Sequence, residues 1–240
     1  MWDVICRLLC AISVIFGLAS GADAGAWMRD PKAGFLSFSS EIDLDGNSYT
    51  GIYSEYGLNA RNTLGFELGY TNVGETSMMI WLQRRLGSGE GPNQWTYSTG
   101  FGAFLREGQL FPTGQIGINW GRGFEHVLGG GWMSVEARLK IAGKQEQVVY
   151  LQGKTLTEAE FLTPEITTKI DATLGLRPTD SLMFINQLRL EDRSDVDFSA
   201  RLASSLVYDF GAPAKLELGL IAPISGAGEV AVKIGTWIEF

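Results

Sequence analysis

Apolar and polar residues alternate along most of this chain, in long stretches that are separated by turn-forming residues. The clearest stretch is near the C-terminus, where Val230, Val232 and Ile234 share one face and Glu229 and Lys233 share the other. A period of two indicates a β-strand with one apolar face. About twelve strands are predicted, over 34–44, 48–58, 63–72, 76–87, 94–106, 112–121, 130–142, 163–177, 180–191, 196–210, 214–222 and 228–240.

Turn signals lie between these stretches, for example Asp45-Gly46-Asn47 and Arg177-Pro178-Thr179-Asp180. No linker or change of composition divides residues 25–240, which we interpret as one domain. The longest predicted connection is 143–162. Its Thr157-Glu158-Ala159-Glu160 sequence suits a helix N-terminus, so a short helix and an extended hairpin tip both stay open.

Residues 1–24 have the features of a secretory signal peptide. An apolar run from Leu8 to Ala19 follows Arg7 and is too short to span a bilayer. The run is followed by Ala22-Asp23-Ala24, an A-x-A cleavage pattern, which predicts a cut before Gly25. Cys6 and Cys10 both lie in this leader, so the mature chain would contain no thiol.

Long strands with one apolar face fit either a soluble β-sandwich or a membrane β-barrel. Most of the predicted strands reach the roughly 9–11 residues that a tilted membrane strand needs. Together with the leader, this favours an all-β, antiparallel up-and-down transmembrane barrel in the outer membrane of a Gram-negative bacterium. The 143–162 and Glu107–Phe111 loops would then lie outside. Two connections fit less well: 45–47 would be unusually short for an outer loop, and 122–129 long for a periplasmic one.

The chain has Phe at position 240, with mostly apolar residues at every second position before it. This pattern resembles the C-terminal signature of bacterial outer-membrane β-barrels. The run from Gly25-Ala26-Trp27 to Gly34-Phe35-Leu36-Ser37 is similar to small outer-membrane proteins of proteobacteria. The resemblance implies insertion by the barrel-assembly machinery and contact with outer-membrane lipid, but it supplies no activity.

Charged residues fall mainly on the inward face, with acids and bases nearly balanced. The candidates for lining the lumen are Glu67, Glu136, Arg138, Lys140, Lys169, Asp171, Arg189, Arg201 and Lys233. These charges would either pair and plug a narrow lumen or line a water-filled pore. Inward glycines such as Gly65 and Gly175 would either leave room for solutes or only help the barrel to bend.

Aromatic residues on the apolar face are expected at the two lipid–water interfaces. The candidates for this girdle are Tyr56, Tyr70, Trp95, Trp120, Tyr208 and Phe240. Trp81, Trp132 and Trp237 fall on the inward face instead. Either these indoles fill the lumen or the predicted register is wrong by one residue.

The function favoured by the sequence is passive, porin-like passage of ions or small polar solutes, without a cofactor or metal. The alternatives are a plugged barrel acting through its outer loops, an outer-membrane hydrolase and a secreted soluble sandwich. His126, the one histidine, is predicted to lie in a connection without a neighbouring Ser, so no enzyme is expected. The net charge of −8 argues against a nucleic-acid partner. The sequence does not predict the oligomeric state.

Overall fold

The computed structural model describes residues 25–126, 129–152, 155–194, 196–211 and 213–240. For His126, 144–152 and 155–162 it describes the backbone alone. The predicted leader, residues 1–24, lies outside the described residues. The strands are β1 (Gly34–Asp43), β2 (Ser48–Asn59), β3 (Asn62–Thr71), β4 (Thr76–Arg85), β5 (Asn93–Arg106), β6 (Gln109–His126), β7 (Gly129–Gln152), β8 (Thr155–Thr179), β9 (Leu182–Arg193), β10 (Val196–Asp209), β11 (Ala214–Ser225) and β12 (Ala231–Glu239).

The strands form one closed antiparallel barrel. Each strand pairs with the next along the chain, and β1 pairs with β12 from Phe35–Glu239 to Asp43–Ala231. The prediction of a twelve-stranded antiparallel barrel is confirmed, and the β-sandwich alternative is wrong because the twelve strands close into one sheet. Among the described residues, none forms a helix long and apolar enough to cross a membrane.

The distribution of polarity is the reverse of that in a soluble protein. Large apolar side chains lie outside, as at Phe101, which is 71% exposed. Polar side chains lie inside, as at Thr63 and Thr96, which are both 0% exposed. In a protein surrounded by water the apolar groups would be the buried ones. The barrel is therefore built for an apolar surrounding medium.

We call the end of the barrel that contains Gly34 and Phe240 the proximal end, and the opposite end the distal end. At the proximal end, two hydrogen bonds continue the pairing of β1 with β12. Phe240 N donates to Gly34 O at 3.0 Å, and Gly34 N donates to Phe240 O at 2.5 Å. Recognition of Phe240 by the barrel-assembly machinery stays a prediction.

Two predicted connections are corrected. The segment 122–129 is not a long loop, since β6 and β7 pair as far as His126–Gly129. Glycines interrupt the apolar alternation there, but they lie within the sheet, and the ring of Phe124 occupies the space beside Gly131. His126 is accordingly the last residue of β6 rather than a loop residue.

The Glu107–Phe111 loop is shorter than predicted, because β5 and β6 pair as far as Arg106–Gln109. Both residues between the strands have positive φ, 52° at Glu107 and 79° at Gly108, as in a type I′ hairpin turn.

The short turn after β1 is confirmed. There Asn47 N and Nδ2 donate to the two carboxylate oxygens of Asp43, at 2.8 and 2.9 Å.

Of the two alternatives for 143–162, the structure has the extended hairpin. The β6–β7 pairing ends at Thr113–Ala142, and the β8–β9 pairing ends at Thr167–Arg193. The β7–β8 pairing continues from Gly143–Pro164 to Gln152–Thr155. At about 3.3 Å per residue, this β7–β8 ribbon (residues 143–152 and 155–164) extends about 30 Å beyond its neighbours.

The inward tryptophans fill the lumen, so the predicted register was correct. Trp132, Met183 and Val207 form a buried apolar cluster at the proximal end, against which Trp27 and Trp237 pack. The guanidinium group of Arg177 lies 5.2 Å from the centre of the Trp132 ring. This apolar core is inside the barrel but occupies only its proximal part.

Inward glycines leave space for indole rings of neighbouring strands and of the N-terminal segment. A Cβ atom at Gly65 would lie 2.0 Å from Trp81 Cε2, and one at Gly175 would lie 2.3 Å from the ring of Trp132. Gly121 faces Trp27 in the same way, at 2.5 Å. At these positions, the glycines give space to aromatic rings and do not open the lumen to solutes.

We expect Gly65→Ala to lower the free energy of unfolding by about 1–3 kcal/mol, because the added methyl group would overlap the Trp81 ring. Gly114→Ala is the matched control, since nothing lies within 4 Å of a Cβ at Gly114. Its stability should stay the same or rise by about 0.5 kcal/mol. Urea unfolding of the membrane-embedded barrel, followed by tryptophan fluorescence, measures both. Equal stability of the two variants would contradict the packing described here.

Candidate functional site

The N-terminal segment, residues 25–33, lies inside the barrel. It enters at the proximal end, where Lys32 N donates to Gly57 O at 2.8 Å. Farther in, Arg29 N donates to Thr63 Oγ1 at 3.1 Å. Nothing periodic marks these residues in the sequence, so their place in the lumen was not predicted.

A buried ion pair anchors the segment. Arg29 Nε donates to Glu55 Oε2 at 2.6 Å, and the Tyr53 hydroxyl donates to Glu55 Oε1 at 2.5 Å. The same guanidinium group lies 4.6 Å from the centre of the Phe35 ring. Glu55 is 3% exposed, so its charge depends on these partners rather than on water.

The proximal half of the lumen is filled among the described residues. The inward side chains of Thr63, Thr96, Ser134 and Val207 come from four different strands and are at most 1% exposed. Trp132 is 2% exposed at the same end. Water therefore does not reach these wall residues, whereas in an open channel it would.

Charged side chains line the middle of the lumen and mostly pair with each other. Lys233 Nζ lies 2.7 Å from Glu217 Oε1, Lys169 Nζ lies 2.8 Å from Glu191 Oε2, and Arg138 pairs with Asp171. These three pairs join neighbouring strands. Arg189 Nη1 donates to Glu41 Oε1 at 3.0 Å, and this pair joins β9 to β1, which are not neighbours in the barrel. It therefore crosses the lumen and narrows it.

The remaining lumen candidates have other surroundings. Glu67 accepts a long hydrogen bond, of 3.4 Å, from the Tyr49 hydroxyl. Glu136 lies beside Gly25 of the N-terminal segment. Arg201 is exposed near Gly228 at the distal mouth. Lys140 makes no ion pair within 4 Å among the described residues and faces a cavity in the distal half.

This distal cavity has a volume of about 240 Å³. It is lined by apolar, acidic and basic groups, and three pairs of opposite charge, Arg106–Glu75, Lys169–Glu191 and Arg193–Glu165, lie in its wall. Its lining includes Tyr49, Glu67, Glu75, Met79, Phe104, Arg106, Lys140, Glu165, Lys169, Glu191 and Arg193. The cavity can hold a small polar solute, and Lys140 gives it one cation without an ion-pair partner.

The predicted girdle residues lie on the outer surface. Tyr70 is near the distal end. The other five are near the proximal end: Tyr56, Trp95, Trp120, Tyr208 and Phe240. The rings of Trp95 and Trp120 are 6.5 Å apart, and Trp120 Nε1 donates to Asn93 Oδ1 at 3.3 Å. Contact of these rings with a lipid–water interface stays a prediction.

The comparisons with known proteins support the fold alone. No protein-family profile matches the sequence, and no curated protein is similar to it in sequence. The NanC porin superposes with a TM-score of 0.57 at 10% identity, over 85% of this chain and 98% of that one. The KdgM porin gives 0.55 at 7% identity, over 86% and 99%. The translocator domain of the autotransporter NalP from Neisseria meningitidis gives 0.50 at 11% identity, over 99% and 95%.

We expect Glu55→Gln to release the N-terminal segment, because it leaves the Arg29 charge buried without its partner, at a cost of about 3–5 kcal/mol. Trypsin should then cut after Arg29 on the order of tenfold faster or more. Mass spectrometry of the fragments measures the rate. Glu41→Gln is the control, since it removes a lumen carboxylate that pairs with Arg189 rather than with the segment. Equal cleavage rates in both variants would contradict the anchoring role of Glu55.

Proposed function

We propose that this chain is a porin-type barrel of a Gram-negative outer membrane, which passes ions and small polar solutes through its lumen. The proximal end would face the periplasm, and the β7–β8 ribbon would face outward. The N-terminal segment would be the element that restricts passage.

The observation that carries this proposal is the distribution of polarity across the wall. The outer surface is apolar, whereas the lumen is lined with charges and contains the distal cavity. On the proximal side of the cavity, the N-terminal segment occupies part of the lumen. Noncovalent contacts such as Arg29–Glu55 and Lys32–Gly57 hold it against the wall. Such a segment can leave the lumen at a far lower cost than a strand of the wall.

The balance of charges in the wall bears on the class of solute. A KdgM porin structure contains disordered oligogalacturonate, an acidic sugar chain. In the present lumen, most bases pair with acids, as Lys169 does with Glu191 and Lys233 with Glu217. A wall of this kind does not favour a polyanion, so we propose small ions and neutral or zwitterionic solutes instead.

A closed barrel that acts through its outer face is the second candidate. Two observations favour it: the filled proximal half of the lumen and the Arg189–Glu41 pair across the middle. The β7–β8 ribbon would then be the functional element. An outer-membrane hydrolase acting through His126, the last residue of β6, stays an untested alternative.

Single-channel recording separates the two candidates. The full chain, isolated from membranes and placed in a planar bilayer, should give small or infrequent current steps. Glu55→Gln should give larger or more frequent steps, because the N-terminal segment loses its anchor. Glu90→Gln is the control, since it removes the same charge from an exposed loop residue outside the lumen. A folded barrel that is silent in all three forms would overturn the channel proposal and leave the closed barrel.

The selectivity of the current gives a further prediction. Lys140→Gln should shift the reversal potential toward cations, because it removes the unpaired positive charge of the distal cavity. Arg61→Gln makes the same charge change in the exposed β2–β3 turn and should leave the reversal potential unchanged. The shift should shrink at high salt, where a charge acts over only about 3 Å at 1 M. An equal shift in both variants would show that ions do not pass Lys140.

A further inference from the structure

Two features favour glycine at position 25. Its φ of +74° lies in the left-handed region that side chains disfavour. A Cβ atom there would also lie 1.9 Å from Glu136 Oε1. The main chain of Gly25 thus lies directly beside the Glu136 carboxylate, and a side chain at position 25 would push the carboxylate away.

The carbonyl group of Gly25 is held by two buried amides. Gln83 Nε2 donates to it at 2.6 Å and Asn119 Nδ2 donates at 3.2 Å. Both amides also donate to Thr96 Oγ1, at 3.1 and 3.0 Å. This frame of three side chains fixes the carbonyl group of Gly25.

The nitrogen of Gly25 is close to the Glu136 carboxylate. From the 1.9 Å approach of Oε1 and standard bond lengths, Oε1 lies at most about 4.5 Å from that nitrogen. Glu136 makes no ion pair within 4 Å among the described residues, although the charge of Arg138 on the same strand acts on it. A half-buried carboxylate without a direct ion-pair partner is costly, so a positive charge at Gly25 would be favourable.

We propose that the chain is cut between Ala24 and Gly25, and that the α-ammonium group formed at Gly25 pairs with Glu136 inside the barrel. Hydrolysis consumes one water molecule, leaves a carboxylate on Ala24 and leaves an amine on Gly25, which takes up a proton at neutral pH. The Ala22-Asp23-Ala24 pattern supplies the cleavage signal of a signal peptidase.

Before the cut the Gly25 nitrogen is a neutral amide, and after it an ammonium group beside Glu136. The proposal does not depend on whether the barrel conducts.

The N-terminus of the full-length protein, expressed in a Gram-negative host and isolated from membranes, is the first test. Mass spectrometry should find Gly25 as the first residue. The α-amine should react with an acetylating reagent at least about tenfold more slowly in the folded barrel than in the unfolded chain, because it is buried and protonated. The tryptic peptide 25–29, released after unfolding, reports the labelling.

Two variants test the partner. Glu136→Gln should restore fast labelling of the folded protein, whereas Glu90→Gln, with the same charge change outside the lumen, should not. A glycine inserted between Ala24 and Gly25 moves the ammonium group away from Glu136 and should also speed labelling. An N-terminus elsewhere, or an α-amine that reacts equally fast in folded and unfolded protein, would overturn the proposal. Slow labelling in folded Glu136→Gln would exclude Glu136 as the partner.

Discussion

The pairing of β1 with β12 is the interaction on which the rest of the structure depends. It leaves the sheet without a free edge along the length of these two strands, so their backbone donors and acceptors are satisfied within the wall. It also separates the alternating side chains into an outer and an enclosed set. Apolar residues can then face lipid, while charged residues meet each other in a confined space. An open sheet with the same sequence would expose both sets to the same medium.

Enclosure brings together side chains that are far apart along the chain. Arg29 reaches Glu55, and Arg189 reaches Glu41 from a strand on another part of the wall. The proximal part is filled mainly by rings and by the N-terminal segment, and the distal part retains a cavity. The two halves of the lumen thus differ in kind: one has the packing of a protein core, and the other has the polarity of a binding pocket.

Much of the wall could be predicted from the sequence, because period-two alternation persists through strands such as β12 and β10. The alternation fails where glycines replace apolar residues, so the sequence predicts a loop over 122–129, where the structure has paired strands. The contents of the lumen were harder to predict. Inward residues could be assigned by parity, but partners such as Arg189 and Glu41 depend on which strands face each other across the closed barrel. Residues 25–33 have no periodic pattern, so nothing in the sequence indicated that they fold inward.

The long-range contacts inside the lumen have a consequence for the order of folding. Arg189 and Glu41 are 148 residues apart in sequence, and Asn119 and Gly25 are 94 apart. Contacts of such separation carry a large loop-closure entropy until the intervening strands have paired. The neighbouring hairpins can form first, from local contacts, but the lumen acquires its final contents only when the last strands arrive. The first residues of the chain are therefore expected to be among the last to reach their native positions.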